Sequence, residues 1–228
     1  MRFKGILIDL GDTLTYIDKT QDRNQKEKVL AILQQHGFEI NFDELSATMD
    51  AAFWNSTRGD DEDTYSYWKS LLTRLTIQAA PDLILELEEF WNTNVHKTVK
   101  YYDNVIPTLT YLKKKYQLAL VSNCAVGTRG LLQRLSLSQF FECIILSYEL
   151  KTRKPNHKMY LKALDCLKLN AEDCLFVADE ISDLEGAKEV GLKTLLIHQG
   201  GHPWDEAADL NFKPDYEYNT FAEIMKLL

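Results

Sequence analysis

Residues 3–14 read FKGILIDLGDTL, a short apolar run that ends in an acidic, glycine-containing turn. A short apolar run bounded by turn residues predicts a buried strand of a parallel sheet. Asp9 would then lie at the carboxyl end of that strand, where ligands bind in open parallel α/β sheets. A carboxylate at this position is a nucleophile, a metal ligand or a cap for the next element. The choice depends on the partners that the rest of the chain supplies.

The composition of the chain is typical of a globular protein and excludes several function classes. A length of 228 residues suffices for one domain, or for one domain with a smaller module. The net charge of −8 disfavours nonspecific binding to nucleic acid or to an anionic membrane. No segment resembles a signal peptide or a membrane span, and the four cysteines lack metal-binding spacing. We expect a soluble, cytoplasmic monomer or homodimer with reduced thiols and no nucleic-acid or membrane partner.

Residues 16–98 have the periodicity of helices. Their apolar residues form four amphipathic stripes, and no convincing parallel strand interrupts them. Gly37 is a predicted stop for the first helix, Asp43 a predicted cap for the second, and Pro81 suits the first turn of the fourth. This stretch therefore predicts a small helical module.

From residue 99 onward, predicted strands alternate with predicted helices. The strands are expected at residues 117–122, 143–146, 175–178 and 194–197, each preceded by a helical segment. Such alternation favours βαβ units and a doubly wound parallel sheet. The predicted architecture is an α/β core of residues 1–15 and 99–228, with a helical cap of residues 16–98 inserted after the first strand.

Polar side chains follow the predicted strands and should meet at one edge of the sheet. They are Asp9, Ser122, Asn123, Lys154, Asp179 and Asp183. Carboxylates are the ligands that Mg²⁺ prefers, and Mg²⁺ needs only one or two of them together with water and substrate oxygens. A hydroxyl and an ammonium group can hold phosphoryl oxygens as charge develops on them. The set therefore predicts a site for Mg²⁺ and a phosphate group.

Four motifs in order resemble those of the haloacid dehalogenase (HAD) superfamily of phosphohydrolases. The sequence DLGDTL at residues 9–14 looks like the first motif, and VSN at 121–123 looks like the second. Lys154-Pro155 is similar to the third motif and VADEISD at 177–183 to the fourth. A helical insert after the first motif resembles the subfamily with a C1-type cap. The resemblance implies a Rossmann-like core.

The resemblance also implies a covalent mechanism acting on a small phosphorylated metabolite. Asp9 would attack phosphorus, and water would then hydrolyse the aspartyl-phosphate, with Ser122 and Lys154 as further catalytic residues. Mg²⁺ would bind Asp9, the backbone carbonyl of Gly11, and either Asp179 or Asp183. The phosphate group would contact Leu10, Gly11, Ser122, Asn123 and Lys154.

Position 11 departs from the family pattern. The family usually places a general acid–base Asp two residues after the nucleophile, and this chain has Gly11 there. General acid–base catalysis is worth about 10²–10⁴-fold. Asp12, a cap residue or water could transfer the proton instead, or the substrate could carry a good leaving group. Alternatively, the chain is a protein with reduced catalytic activity that binds a phosphoryl ligand or a protein partner.

Two further points concern the substrate. A 2-haloacid dehalogenase would also dispense with the acid, because halide leaves unprotonated, but the acidic fourth motif favours a metal and phosphate. In the cap, Arg58 is a candidate contact for a second anionic group of the substrate. The physiological substrate itself is not evident from these motifs.

Overall fold

A computed structural model describes residues 3–57, 63–199 and 212–228. The strands are β1 (Gly5–Ile8), β2 (Thr15–Ile17), β3 (Val99–Tyr101), β4 (Gln117–Ser122), β5 (Cys143–Leu146), β6 (Cys174–Ala178), β7 (Lys193–Ile197) and β8 (Tyr216–Tyr218). The α-helices are α1 (Lys19–Gln35), α2 (Phe42–Ser56), α3 (Thr64–Arg74), α4 (Pro81–Asn94), α5 (Val105–Leu112), α6 (Thr128–Arg134), α7 (Ser147–Leu150), α8 (His157–Leu167) and α9 (Ile181–Glu189).

Six of these strands form one parallel sheet in the order β5-β4-β1-β6-β7-β8. β1 lies in the middle, with Ile8 opposite Leu120 of β4 and Val177 of β6. From β1 the chain continues to β4 and β5 on one side and to β6, β7 and β8 on the other. The strand order therefore reverses beside β1, which is where open α/β sheets bind ligands. The predicted fold class, a doubly wound parallel sheet, is confirmed.

Both faces of the sheet are covered by apolar side chains. Ile6 and Ile8 of β1 belong to a cluster that includes residues of α5 and of the C-terminal 3₁₀ segment Phe221–Lys226. Leu7 points to the opposite face and joins a cluster with residues of α8 and α9. Successive strand residues face opposite sides of a sheet, so a strand buried on both faces must be apolar throughout. This explains the continuous run in β1.

The cap helices, α1 to α4, have an apolar core of their own. Leu33, Trp68, Leu71 and Leu87 are fully buried in it. A two-stranded antiparallel ribbon of β2 and β3 lies where the chain enters and leaves these helices, and it pairs Thr15 with Tyr101. The ribbon was not predicted. Division of the chain at residues 15/16 and 98/99 stays a prediction.

Two expectations from the sequence were wrong. Cys143 and Cys166 form a disulfide, whereas Cys124 and Cys174 are free and buried. The pairing arises because α8 packs against β5, a tertiary contact that spacing in the sequence does not reveal. Asn41, not the predicted Asp43, caps α2.

The α2 cap is wrong by two residues because the helix starts at Phe42. The Asn41 side chain accepts a hydrogen bond from the backbone N–H of Glu44 at 2.8 Å, which places Asp43 inside the first turn. Elsewhere the predicted ends hold, since α1 ends two residues before Gly37 and α4 begins at Pro81. Within the described ranges, no helix combines the length and apolar character that crossing a membrane requires.

Candidate active site

Three predicted site residues meet at the carboxyl edge of the sheet. The Lys154 Nζ atom lies 2.5 Å from Asp9 Oδ1 and 2.6 Å from Asp183 Oδ2, and all three residues are buried. The backbone N–H of Asp9 donates to the carbonyl of Val177 at 2.9 Å, which fixes Asp9 just beyond β1. The structure thus joins the first, third and fourth motifs through one ammonium group.

Lys154 remains a cation in this setting. Burial alone would lower its pKa, but the carboxylates of Asp183 and Asp9 outweigh that effect, and the pKa is raised well above its usual value. A buried ion pair gives up much of its attraction to desolvation, so such a cluster adds little to stability. Its arrangement at a strand end is therefore better explained by a binding or catalytic role.

The Asn123 side chain holds the backbone of Lys154. Its Oδ1 atom accepts a hydrogen bond from the Lys154 N–H at 2.8 Å, and its Nδ2 atom donates to the Lys154 carbonyl at 3.2 Å. The peptide bond between Lys154 and Pro155 is cis. Asn123 therefore positions the loop that carries the ammonium group. A direct phosphate contact by Asn123 stays a prediction.

The α9 helix approaches this loop very closely. A Cβ atom at Gly186 would lie 2.3 Å from the carbonyl oxygen of Pro155, so only glycine fits here. The buried hydroxyl of Tyr160 donates to the backbone carbonyl of Asp183 at 2.7 Å. Tyr160 and Gly186 thus set the position of Asp183 relative to Lys154, and Tyr160 was not identified from the sequence because it looks like an ordinary core aromatic residue.

Asp179 lies directly after β6, and its carboxyl group has an unusually high pKa. Burial, the neighbouring carboxylate of Asp9 and that of Glu180 raise its pKa to about 8. The hydroxyl of Thr13, which is fully buried, donates to Asp179 Oδ1 at 3.1 Å. Thr13 therefore links the first motif to the fourth, a role that its place inside the first motif could have suggested.

The turn after Asp9 explains how this chain differs from the family pattern. Gly11 is exposed, its carbonyl accepts from the N–H of Thr13 at 2.6 Å, and a Cβ atom there would meet nothing within 4 Å. Asp12 has a left-handed backbone with φ of 51°, and its Oδ1 atom accepts from the hydroxyl of Tyr102 at 3.2 Å. Tyr102, which was also not identified from the sequence, has a pKa raised first by burial and then by Asp12.

The other predicted residues are less informative. Ser122 is buried at the end of β4, beside β1, and its hydroxyl makes only a long 3.5 Å contact with the Asn123 carbonyl. The Leu10 carbonyl accepts hydrogen bonds from the N–H groups of two later residues in the turn. Arg58 lies outside the described residues.

The candidate ligands fit a Mg²⁺ ion that binds only a few protein groups. Within the described residues, no group of three or more Asp, Glu, His or Cys side chains is arranged to hold a metal. Lys154 is paired with both Asp9 and Asp183, so the candidate ligands remain the carboxylates of Asp9, Asp179 and Asp183 and the carbonyl of Gly11. Mg²⁺ keeps several waters and needs only one or two carboxylates. Burial, followed by the carboxylates of Asp9 and Glu180, raises the pKa of Asp179, and a cation beside it would stabilise the ionised carboxylate.

Comparisons with known proteins bear on the family and the fold of the chain. A glyceraldehyde 3-phosphate phosphatase from Methanopyrus kandleri is 25% identical over 99% of this chain and 97% of its own length. A pyrophosphatase PpaX from Bacillus mycoides is 26% identical over 68% of this chain and 73% of its own. A 2-haloacid dehalogenase structure from Pseudomonas syringae pv. Tomato DC3000 covers 99% of this chain and 97% of its own, with a TM-score of 0.76 and 21% identity.

These comparisons carry different weight. The structural likeness to the dehalogenase, at 21% identity, shows the fold alone. The two relatives matched by sequence are both phosphatases by name. The model of the family described as haloacid dehalogenase-like hydrolase matches residues 61–197, which is more than half of the chain. The two phosphatase relatives agree with the phosphohydrolase class. The chain belongs to the haloacid dehalogenase-like hydrolase family, which confirms the resemblance predicted from its four motifs.

Proposed function

We propose that this chain is a Mg²⁺-dependent phosphohydrolase that transfers the phosphoryl group of a small metabolite to Asp9 and then to water. The observation that carries the proposal is the buried contact of the Lys154 ammonium group with both Asp9 and Asp183. The contact lies at the point where the strand order reverses, so a ligand can reach it from the edge of the sheet.

Asp9 is the proposed nucleophile. Lys154 binds its Oδ1 atom, and Oδ2 is the atom that we propose attacks phosphorus. The Asp9–phosphorus bond forms as the bond from phosphorus to the leaving oxygen breaks. Water then attacks phosphorus, phosphate leaves, and the carboxylate is restored. Splitting the reaction in this way replaces one difficult displacement by two easier ones.

The surrounding residues stabilise the phosphoryl group during transfer. Lys154 stays protonated, and we propose that its ammonium group and the hydroxyl of Ser122 attract the phosphoryl oxygens. We propose that Asp9, Asp179 and the Gly11 carbonyl hold the Mg²⁺ ion. Bound there, the ion supplies positive charge that neutralises the phosphate and orients it. Asp183 acts through Lys154, because its carboxylate fixes the position of the ammonium group.

Proton transfer to the leaving group needs an acid other than residue 11, which is glycine. Asp12 and the Tyr102 hydroxyl form a hydrogen-bonded pair beside the site, and we propose that Asp12 serves if a proton is required. A substrate with a good leaving group would need no such acid. The glycine at position 11 also favours a second candidate function, that of a catalytically reduced protein that binds a phosphoryl ligand or a protein partner.

Steady-state hydrolysis with Mg²⁺ tests the proposal. We would offer glyceraldehyde 3-phosphate and inorganic pyrophosphate, the compounds in the names of the two relatives, together with acetyl phosphate. We expect turnover of at least one of them, and a loss of about 10³-fold or more in Asp9→Asn because the nucleophile is gone. Asp165→Asn, which changes an exposed carboxylate near the C-terminal end of α8, is the matched control.

Acid quenching adds a direct readout. Mass spectrometry of the quenched wild-type protein should show one added phosphoryl group on the peptide that contains Asp9. Turnover that survives in Asp9→Asn would rule out this nucleophile. If no substrate is hydrolysed while orthovanadate still binds in the presence of Mg²⁺, the binding function is correct instead.

A further inference from the structure

Gln199 lies just after β7, at the carboxyl edge of the sheet, where the candidate active site is also found. Its side-chain Nε2 atom donates a hydrogen bond to the backbone carbonyl of Thr13 at 2.5 Å. Its Oε1 atom accepts a hydrogen bond from the backbone N–H of Phe221 at 2.9 Å. One side chain outside the four motifs therefore joins the first motif to the C-terminal 3₁₀ segment.

The two contacts of Gln199 require an amide group. The carbonyl of Thr13 can only accept a hydrogen bond and the N–H of Phe221 can only donate one, so the side chain between them must supply one group of each kind. A carboxylate has no hydrogen to give to the carbonyl, and an apolar side chain satisfies neither partner. Gln199 is therefore matched to this position by its chemistry as well as by its length.

Thr13 connects Gln199 to the candidate metal ligands. Thr13 is fully buried, and each of its polar groups has a partner. Its N–H donates to the carbonyl of Gly11 at 2.6 Å, its hydroxyl donates to Asp179 Oδ1 at 3.1 Å, and its carbonyl accepts from Gln199. Two of these three partners are proposed ligands of Mg²⁺. The position of Thr13 therefore affects the position of both ligands.

The C-terminal 3₁₀ segment holds Gln199 from the other side. Phe221 and Ile224 are fully buried and pack in the same apolar cluster as residues of β1. Thr220 and Glu223 cap the segment reciprocally, with the Glu223 carboxylate accepting from the Thr220 N–H at 3.1 Å. A segment that is packed and capped in this way presents the N–H of Phe221 to Gln199 in a fixed position.

From these contacts we propose that Gln199 is a positioning residue for the Mg²⁺ site. It holds the backbone of Thr13 so that the Thr13 hydroxyl is directed at Asp179, and it acts through Thr13 rather than by contact with the ion. Residues that orient metal ligands contribute to metal affinity although they do not bind the metal. The inference rests on the proposed function, because it takes Asp179 as a ligand of Mg²⁺.

Calorimetric titration of the full chain with Mg²⁺ tests the inference without any activity measurement. Gln199→Met has a similar size and removes both hydrogen bonds. Replacing a residue that supports a metal ligand typically costs about 10–100-fold in metal affinity, and Gln199 is one contact further away, so we expect a loss of about fivefold. His198→Gln is the matched control and should leave the affinity unchanged, because the exposed ring of His198 contacts Glu217.

Variants of Thr13 test the route from Gln199 to the metal. Thr13→Val keeps the shape but removes the hydroxyl and should weaken Mg²⁺ binding about tenfold, whereas Thr13→Ser should restore it. If Gln199 acts through this hydroxyl, the double variant with Gln199→Met should lose about tenfold in total, not the roughly fiftyfold of independent effects. Gln199→Glu keeps the acceptor for Phe221 but has no donor for Thr13, so it should also weaken Mg²⁺ binding despite its added negative charge.

Steady-state kinetics separates positioning from a general loss of structure. In Gln199→Met the Mg²⁺ concentration that gives half the maximal rate should rise about fivefold, while kcat at saturating Mg²⁺ stays within about twofold. The melting temperature of each variant shows that it is folded. If Gln199→Met does not fold, Gln199→Glu takes its place, because it retains the hydrogen bond to the C-terminal segment.

Three outcomes would overturn the inference. Unchanged Mg²⁺ affinity in Gln199→Met, or independent losses in the double variant, would do so and leave the proposed hydrolase function intact. Tighter Mg²⁺ binding in Gln199→Glu would show that charge at this position matters and the hydrogen bond to Thr13 does not. No Mg²⁺ binding by the wild-type protein would overturn the proposed metal site itself, and the role of Gln199 with it.

Discussion

Replacing Gly11 by Asp should supply a general acid at the position where the family usually has one. The structure has room for the change, because a Cβ atom at position 11 would meet nothing within 4 Å. Gly11 is not among the residues with a left-handed backbone, so a side chain there causes no backbone strain. The new carboxyl group would lie in the same turn as Asp9 and Asp12. Their negative charge should raise its pKa and keep it protonated, as a general acid must be.

The size of the effect follows from the leaving group. General acid catalysis is worth about 10²–10⁴-fold, or about 2.7–5.5 kcal/mol in the barrier. Because Gly11 is exposed, the new carboxyl group will be less rigidly held than a buried one, and we expect the lower end, about 10²-fold. This gain applies to an alkyl phosphate, whose alkoxide leaves poorly. For p-nitrophenyl phosphate or an acyl phosphate, the leaving oxygen needs little protonation and the rate should change little.

The assay is kcat/KM for glycerol 3-phosphate and for p-nitrophenyl phosphate in the presence of Mg²⁺. Gly11→Asn is the matched control, because it has nearly the same size and cannot act as an acid at neutral pH. We expect Gly11→Asp alone to raise the ratio of the two rates in favour of the alkyl ester. A similar gain on both substrates, or the same gain in Gly11→Asn, would refute the account of a missing acid.

Three further predictions concern the groups around Lys154. Gly186→Ala should push its new methyl group against the Pro155 carbonyl, lower the free energy of unfolding by about 1–3 kcal/mol and reduce kcat, as measured by urea unfolding and kinetics. Unchanged kcat would show that the loop position does not matter. Asn123→Ala removes both hydrogen bonds to Lys154 and should lower kcat/KM about tenfold, with Asn123→Asp intermediate because it retains the acceptor. Asp179, with a pKa of about 8 in the metal-free protein, must lose a proton to bind Mg²⁺, so calorimetric Mg²⁺ affinity should rise with pH up to about 8. The proton of Asp179 is bound more tightly in the folded than in the unfolded state, so the free energy of unfolding of the metal-free protein should fall over the same pH range. A Mg²⁺ affinity that does not change with pH would contradict the role of Asp179 as a ligand.

β1, β4, β5, β6 and β7 were predictable from the sequence because burial on both faces leaves an apolar run, whereas β8, a short and partly exposed edge strand, was not predicted. The predicted ranges for β4 and β5 match the structure, and those for β6 and β7 differ by one residue. β2 and β3 were not predicted because three residues are too few to show a period of two, and their pairing depends on contacts 82 or more residues apart, such as Ile17 with Val99. The Cys143–Cys166 disulfide escaped for the same reason, since it depends on tertiary packing.

Of the candidate site, the sequence identified residue types and the edge where they meet, but not what each side chain contacts. Asn123 illustrates the limit. Its place after a strand suggested a phosphate contact, whereas its amide group is engaged with the backbone of Lys154. Thr13 and Tyr102 were not singled out because their contacts with the site form only when the chain folds. Thr13 then contacts Asp179, and Tyr102 contacts Asp12. Local pattern predicts position along a strand, and the side-chain partners follow only from the packed structure.

The charges of the candidate site show why a cation and a phosphate group belong there together. Three carboxylates, those of Asp9, Asp179 and Asp183, face a single ammonium group on Lys154. Without a metal, burial and then the neighbouring carboxylates raise the pKa of Asp179 to about 8, so that this carboxyl group is mostly protonated at neutral pH. A divalent cation bound to Asp9 and Asp179 would restore the ionised form and leave the site close to neutral. Only then can an anionic phosphate approach Asp9 without strong repulsion, which makes metal binding a condition for substrate binding and predicts that the two bind cooperatively.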